Sequence, residues 1–130
     1  MALIGSISLV LGLSHSAVAG VVTTTADSGA GSLRQVILEA LTGEAITFNA
    51  GLNGATIILG GTELSTSKSL TIDASALPKG ITISASQASR VLFSGATNMT
   101  LNNLTLTGGN TTANGGGIYF TSGTLTMIDC

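Results

Sequence analysis

The chain has 130 residues, of which 44% are hydrophobic and 8% charged, and its formal net charge is −2. An average globular domain carries about 25% charged residues, so this composition raises the question of disorder or a membrane span. Regular alternation of apolar residues with low net charge argues against disorder. No apolar run after residue 20 approaches the roughly 20 residues of a spanning helix, and four Lys and Arg residues make nucleic acid an unfavourable partner.

Residues 1–19 predict a secretory signal peptide, followed by one domain at residues 20–130. Leu3 to Leu13 form its apolar stretch, and Ala17-Val18-Ala19 fits the small-x-small rule for cleavage after Ala19. The alternative, a first buried helix, is disfavoured by two glycines and the lack of a polar face. His15, the only histidine, lies within this leader. Cleavage would therefore leave a mature chain without histidine for base or metal chemistry.

The next segment predicts one amphipathic helix. A β-branched run at residues 21–25 suits a first strand. Ser32 and Gln35 then form a Ser-x-x-Gln capping box, and Gly43 supplies a left-handed stop. One face carries apolar residues at helical spacing: Leu33, Val36, Ile37, Ala40 and Leu41. We expect this helix to cover the open core and the unpaired edge of the repeat that follows it.

A repeated phrase of alternating apolar residues and threonines dominates the rest of the chain. It occurs at positions 99–104 and 125–130, with a looser copy at positions 70–73. The copies recur at offsets of roughly 26 to 29 residues, which are typical of solenoids. Three strands per coil of roughly 22 to 29 residues predict about three to four coils, each adding about 4.8 Å. The predicted strands are residues 45–48, 55–59, 70–72, 81–83, 91–93, 99–101, 104–106, 118–120 and 125–128.

Five segments carry a family resemblance: Gly31-Ser-Leu-Arg-Gln-Val-Ile37, Ile46-Thr-Phe-Asn49, Leu70-Thr-Ile-Asp-Ala74, Gly115-Gly-Gly-Ile-Tyr119 and Leu125-Thr-Met-Ile-Asp-Cys130. Together they resemble secreted or surface-exposed bacterial right-handed parallel β-helix repeat proteins, related to polymorphic outer-membrane proteins and autotransporter passengers. In that family the Gly-Ser-Leu-Arg element is an N-terminal capping helix and the Leu-Thr-x-x-Asp phrase is a recurring coil. The resemblance implies outer-membrane attachment only through regions that this sequence does not contain. Because the last phrase breaks off at Cys130, we expect the β-helix to continue beyond it.

Polar residues at the ends of the repeated phrases are the first candidates for chemistry. Asp73 and Asp129, with Asn103 between them, are expected to stack along one edge of the solenoid. Stacked carboxylates could hold Ca²⁺ or serve as a base in a polysaccharide lyase or hydrolase. The preferred interpretation is a corner ladder that satisfies turn backbone, because two rises of about 4.8 Å would separate the acids by about 10 Å.

The other charged side chains have simpler expectations. Arg34 and Arg90 are expected to pair with nearby acids rather than to bind a sugar carboxylate, because single arginines are a weak signal. Three glutamates, Glu39, Glu44 and Glu63, are expected to face solvent. None of these residues is predicted to be catalytic.

The remaining singular residues are expected to be structural. Lys68 and Lys79 stand isolated in the sequence, and Lys79 lies in a Pro-Lys-Gly turn. Cys130 occupies the same inward position as Leu104, which predicts a small buried thiol rather than a disulfide. The frequent threonines suit exposed strand positions. An ice- or glycan-binding solenoid would need a regular threonine array on every coil, and only some coils show it in the sequence.

These observations predict an all-β protein, a right-handed parallel β-helix with a short N-terminal capping helix. No catalytic, cofactor-binding or metal-binding residue is predicted. We expect a non-enzymatic secreted or cell-surface segment with an adhesin-like or autotransporter-passenger role, whose partners are host or environmental glycans or surface proteins. The alternative is the N-terminal part of an extracellular polysaccharide lyase or hydrolase of β-helix fold.

Overall fold

The computed structural model describes residues 18–95 and 98–130, so the predicted signal peptide lies almost entirely outside the described residues. The described chain is mostly β-structure and contains one short α-helix. The elements in chain order are β1 (Val18–Val22), α1 (Leu33–Glu39), β2 (Ala45–Phe48), a 3-10 turn (Ala50–Leu52), β3 (Thr56–Ile58), β4 (Leu64–Thr66), β5 (Leu70–Asp73), β6 (Ile81–Ser84), β7 (Leu92–Ser94), β8 (Asn98–Asn102), β9 (Leu104–Thr107), β10 (Ile118–Phe120) and β11 (Thr124–Ile128). Strand β1 extends across the predicted cleavage point after Ala19.

The strands form three parallel sheets that the chain visits in rotation, which makes the fold a parallel β-solenoid. Sheet A has the order β1-β2-β5-β8-β11, sheet B has β3-β6-β9, and sheet C has β4-β7-β10. The register confirms the repeat offsets, because Leu70 pairs with Met99, and Met99 pairs with Leu125. The described residues thus complete three coils and begin a fourth.

Alternating side chains of the three sheets meet in one apolar core. One column of sheet A shows the pattern: Ile46, Ile72 and Leu101 lie above one another and are at most 1% exposed. Met127 continues this column on β11 but is 47% exposed, because no further strand among the described residues covers it. Full burial of a Leu or Ile side chain stabilises a fold by about 1.5 to 3 kcal/mol, so these columns hold the coils together.

Strand β4 is the one strand after the helix that the sequence did not predict. The strands predicted after the helix agree with the structure to within one residue at each end, whereas the first strand, predicted at residues 21–25, lies at Val18–Val22. Leu64–Thr66 offers a single apolar residue, so alternation cannot mark it, and Thr66 points inward and is buried. Its Oγ1 accepts a hydrogen bond of 3.1 Å from the backbone N–H of Lys68. This local bond makes a hydroxyl acceptable at a core position.

Helix α1 begins as predicted but ends earlier. The Oγ of Ser32 accepts the N–H of Gln35 at 3.1 Å, which is one half of the expected capping box. The other half is absent, because the Gln35 amide donates to the Glu39 carboxylate at 2.8 Å. Ala40 is already extended, with ψ of 148°. Leu41 therefore lies beyond the helix and is 57% exposed, so its predicted place in the apolar face is wrong.

The apolar face of α1 packs on the first strands of the stack. The helix contacts β1 of sheet A and β4 of sheet C through a face on which Leu33, Val36 and Ile37 are buried. A Cβ at Gly20 of β1 would lie 3.0 Å from Val36 Cγ1, so a glycine permits this close approach. The helix therefore lies at the end of the stack where the sequence placed a cap.

The described part of the chain holds no helix long and apolar enough to cross a membrane.

Lys68, which the sequence left isolated, closes the C-terminal end of α1. Its Nζ donates to the carbonyls of Ile37, Leu38 and Ala40 at 2.8, 3.0 and 2.6 Å. These are carbonyls that a helix leaves without an internal partner at its last turn. The ammonium also complements the negative end of the helix dipole. A turn of the first coil is thereby attached to the capping helix.

We expect Lys68→Met to lower the free energy of unfolding by about 1 to 2 kcal/mol, because three carbonyls lose a charged donor. The measurement is urea denaturation followed by circular dichroism. Lys79→Met is the matched control: Lys79 is exposed, and its loss should change stability by less than about 0.5 kcal/mol. Equal losses in both variants would contradict the capping role.

Candidate functional site

The expected ladder of Asp73, Asn103 and Asp129 does not form. Asp73 pairs with Asn102 at the end of sheet A, one position before Asn103. Ile128 pairs with the same Asn102, so Asn103 matches Asp129 only. A long connection separates Asp73 from sheet B in its coil, whereas Asn103 alone joins β8 to β9. The spacing of the repeated phrases correctly predicts that Asp73 lies on a strand of sheet A. The prediction that Asp73 occupies a corner beside Asn103 is wrong.

A left-handed corner precedes sheet B in every coil. Asn103 and Asp129 have φ of 58° and 52°, which confirms the left-handed conformation that the corner interpretation required. The matching residues of the two earlier coils are Gly54 and Gly80, with φ of 78° and 63°. The register of sheet B aligns Gly54, Gly80 and Asn103, since each stands two positions before a threonine of one column.

The side chain of Asn103 satisfies turn backbone. Its Nδ2 donates to the carbonyls of Ala74 and Leu77 at 3.2 and 2.8 Å. Asp73 accepts the N–H of Ser75 at 2.9 Å, which is also a local turn contact. Within residues 18–95 and 98–130, no group of three or more His, Cys, Asp or Glu side chains could hold a metal ion. The polar side chains of the corners thus satisfy turn backbone.

Both arginines pair with acids, as predicted. Arg34 Nη2 lies 2.7 Å from Asp27 Oδ1, and Arg90 Nη1 lies 2.5 Å from Glu63 Oε1. Arg34 also donates to the carbonyls of Glu63 and Thr62 at 2.8 Å each. The hydrogen bond from Arg34 lowers the pKa of the Asp27 carboxyl below its ordinary value. The bonds from Arg34 to the Thr62 and Glu63 carbonyls connect the cap with the first coil, and the Arg90–Glu63 pair connects the first coil with the second.

The expectation of solvent-facing glutamates holds for only one of the three. Glu39 is exposed, but Glu63 is bound to Arg90 and its side chain is 27% exposed. Glu44 is buried, and its Oε1 accepts the N–H of Leu41 at 3.0 Å. Because α1 ends before Leu41, that N–H requires an acceptor outside the helix. The carboxylate of Glu44 supplies it.

Cys130 is exposed, so the prediction of a buried thiol is wrong. Its Sγ lies 3.4 Å from the carbonyl oxygen of Leu101, on the preceding coil. Leu104, at the equivalent position one coil earlier, pairs with Ile81 and is buried. The two residues occupy the same position in the repeat, but only Leu104 is buried, because Cys130 lies on the last described coil.

An aromatic pair on the outer face of sheet C is the feature that the sequence interpretation missed. Ser65, Phe93 and Tyr119 form one outward column on successive coils. The Phe93 and Tyr119 ring centroids are 5.6 Å apart, with planes inclined by 60°. The guanidinium carbon of Arg90 lies 5.1 Å from the Tyr119 centroid. The signal was present, because the two rings have the same separation in sequence as the last two copies of the repeated phrase.

A groove runs beside this column, between α1 and sheet C. It consists of two adjoining depressions of about 300 and 210 Å³ that share Ile37, Leu38 and Ser65 as lining residues. Lys68 and Phe93 belong to the larger depression. Arg34, Thr62 and Glu63 complete one end of the smaller one. We call this feature the helix groove, and it is the candidate functional site of the described residues.

One column of threonine side chains lies on the outer face of each of the other two sheets. On sheet B, Thr56, Thr82 and Thr105 form one column. On sheet A, Thr71, Thr100 and Thr126 form another, which begins at Ala45. Sheet B therefore carries an outward threonine on each of its three coils, whereas the first coil of sheet A has Ala45 in that place. Threonine is itself a favourable residue at exposed strand positions, so these columns are first a structural feature.

Comparison with known proteins adds no assignment to this geometry. No protein-family model, no curated protein and no solved structure matches the chain. What the chain can be assigned to on its own structure is an architecture: a parallel β-solenoid with a short N-terminal helix.

Proposed function

We propose that this chain is a non-enzymatic segment of a secreted or cell-surface protein, in which stacked coils present extended faces for adhesive binding. The observation that carries the proposal is the repetition of outward threonines on successive coils, in one column on sheet A and one on sheet B. A stack of parallel coils has a rigid surface that grows with each repeat, and solenoids use such surfaces for binding. The threonines of these columns lie on strands that the apolar core holds in place, and not on loops.

The finer proposal, a polymorphic outer-membrane or autotransporter-passenger type of protein, comes from the sequence resemblance. The Gly-Ser-Leu-Arg element begins α1, and the repeated phrases are strands of sheet A, as a capped β-helix of that kind requires. The alternative, the N-terminal part of an extracellular polysaccharide lyase or hydrolase, would place its catalytic carboxylates in coils that this sequence does not include. Within the described residues, the register separates Asp73 from the corner that holds Asp129, so these two acids do not form one site.

The test is the location and processing of the native polypeptide. We expect mass spectrometry to find it in the culture supernatant or the membrane fraction, with Gly20 at its N-terminus. Intact cells treated with a protease should lose the epitope of an antibody raised against the exposed faces. A chain found in the cytoplasmic fraction with residues 1–19 retained would contradict the proposal.

A further inference from the structure

We propose that Phe93, Tyr119 and the helix groove form a binding site for a neutral oligosaccharide. This inference deepens the proposed function and rests on it, since it names the class of partner that a surface-exposed face would bind. Three properties of the site carry the inference: its outward aromatic rings, its neutralised charges, and its exposed hydroxyl groups.

The aromatic rings provide the stacking surface. The sequence holds three Phe and one Tyr, and of these Phe48 and Phe120 pack in or against the core. The other two, Phe93 and Tyr119, face outward on neighbouring coils. Two partly exposed rings in one column do not serve the core. The face of an aromatic ring carries partial negative charge, which attracts the weakly positive C–H groups on one side of a sugar ring.

The charges around the site favour an uncharged ligand. Arg34 is paired with Asp27, and Arg90 is paired with Glu63. Lys68 donates to the three carbonyls at the end of α1. An acidic sugar would have to compete with these partners for the cations, whereas a neutral sugar leaves every pair intact. Because the cations around the site already have partners, the site favours a neutral glycan over a uronic acid.

The hydroxyl groups distinguish a sugar from an apolar peptide. Ser65, Thr62 and Ser67 line the groove and are exposed. Each hydroxyl both donates and accepts hydrogen bonds, as sugar hydroxyls do. The larger depression, about 300 Å³, lies at the lower end of small-ligand sites and suits a single ring. Phe93 borders it and contacts Tyr119, so the aromatic pair extends the site toward a second ring.

The sequence offers a built-in reporter of binding. Tyr119 is the only tyrosine and there is no tryptophan, so tyrosine fluorescence comes from the proposed site alone. We would titrate the full chain with cellohexaose, maltohexaose and chitohexaose, and with hexagalacturonate as the acidic probe. We expect at least one neutral hexasaccharide to change the emission with saturation. Hexagalacturonate should require at least tenfold higher concentration for the same change.

Variants then locate the site. Phe93→Ala should weaken binding of the neutral probe at least tenfold. Ile58→Ala is the matched control, because Ile58 is also an outward apolar residue, on sheet B, and its loss should leave affinity unchanged. Ser65→Glu adds bulk and charge to the groove without removing a core contact, so it tests the site even where Phe93→Ala fails to fold. Circular dichroism establishes that each variant is folded.

Three results would overturn the inference: no saturable response to any neutral probe, equal affinities of the Ile58→Ala and Ser65→Glu proteins, or tighter binding of hexagalacturonate. These results are distinct from a failure of the proposed function. A surface-located chain that binds no sugar would overturn only this inference. A sugar-binding chain that remains in the cytoplasm would overturn only the surface location.

Discussion

Gly80→Ala is expected to lower the free energy of unfolding by about 2 to 4 kcal/mol. Gly80 has φ of 63°, a conformation that costs an alanine about 1 to 2 kcal/mol. A Cβ there would also overlap the backbone oxygen of Asn103 on the next coil. That oxygen cannot easily retreat, because the N–H of Asn103 donates to the carbonyl of Ile128 at 2.8 Å and its side chain holds two carbonyls.

Gly43→Ala is the matched control for this clash. Gly43 also has a positive φ, of 92°, but a Cβ there would meet no atom within 4 Å. Its replacement should therefore cost only the conformational part, about 1 to 2 kcal/mol. Urea denaturation of both variants measures the difference. If Gly80→Ala were no more destabilising than Gly43→Ala, the close approach of the two corners would not limit the packing of the coils.

Leu101→Ala is expected to lower the free energy of unfolding by about 2 to 5 kcal/mol, the range for a large-to-small change in a packed core. Leu101 is 1% exposed and lies between Ile72 and Met127 in the central column of sheet A. Its loss would leave a cavity that strands on both sides cannot close without breaking their register. Thermal and urea denaturation give the value.

Met127→Ala serves as the control within the same column. Met127 points along the same core line but is 47% exposed, so its truncation removes little buried area. We expect a loss below about 1 kcal/mol. If Leu101→Ala and Met127→Ala lowered the free energy of unfolding by similar amounts, burial would not determine how much each side chain of the column contributes to stability.

Features that follow from local sequence patterns were predicted well. The helix start, the strands after the helix other than β4, the left-handed corners at Asn103 and Asp129, and the pairing of both arginines follow from capping, alternation, turn chemistry and charge. Each of these rules involves neighbours a few residues apart or a strong preference of one residue type. Such preferences survive in the folded chain because the tertiary structure reinforces them.

Residues whose state depends on a neighbouring coil were predicted poorly. Glu44 is buried because α1 ends early, and Lys68 caps a helix that lies far before it in the sequence. The corner role of Gly80 was hidden by the longer connection that precedes it in its own coil. Cys130 was expected to be buried like Leu104, yet it is exposed on the last described coil. In each case the prediction lacked the contacts that only the folded chain provides.

The candidate site shows the same division. Phe93 and Tyr119 are ordinary strand residues in the sequence, and only the register of β7 and β10 brings their ring centroids to 5.6 Å from each other. The helix groove likewise arises where α1 meets sheet C, which no local pattern describes.

The sequence by itself determined the class of structure, because apolar alternation and a phrase repeated at solenoid spacing leave few ways to bury one face of every strand. Only the tertiary structure decided which residues of successive coils face one another. Loops of different length join the strands, so equal phrases do not guarantee equal positions. Register, which depends on backbone pairing and core packing between coils, therefore determined the corners, the aromatic column and the groove.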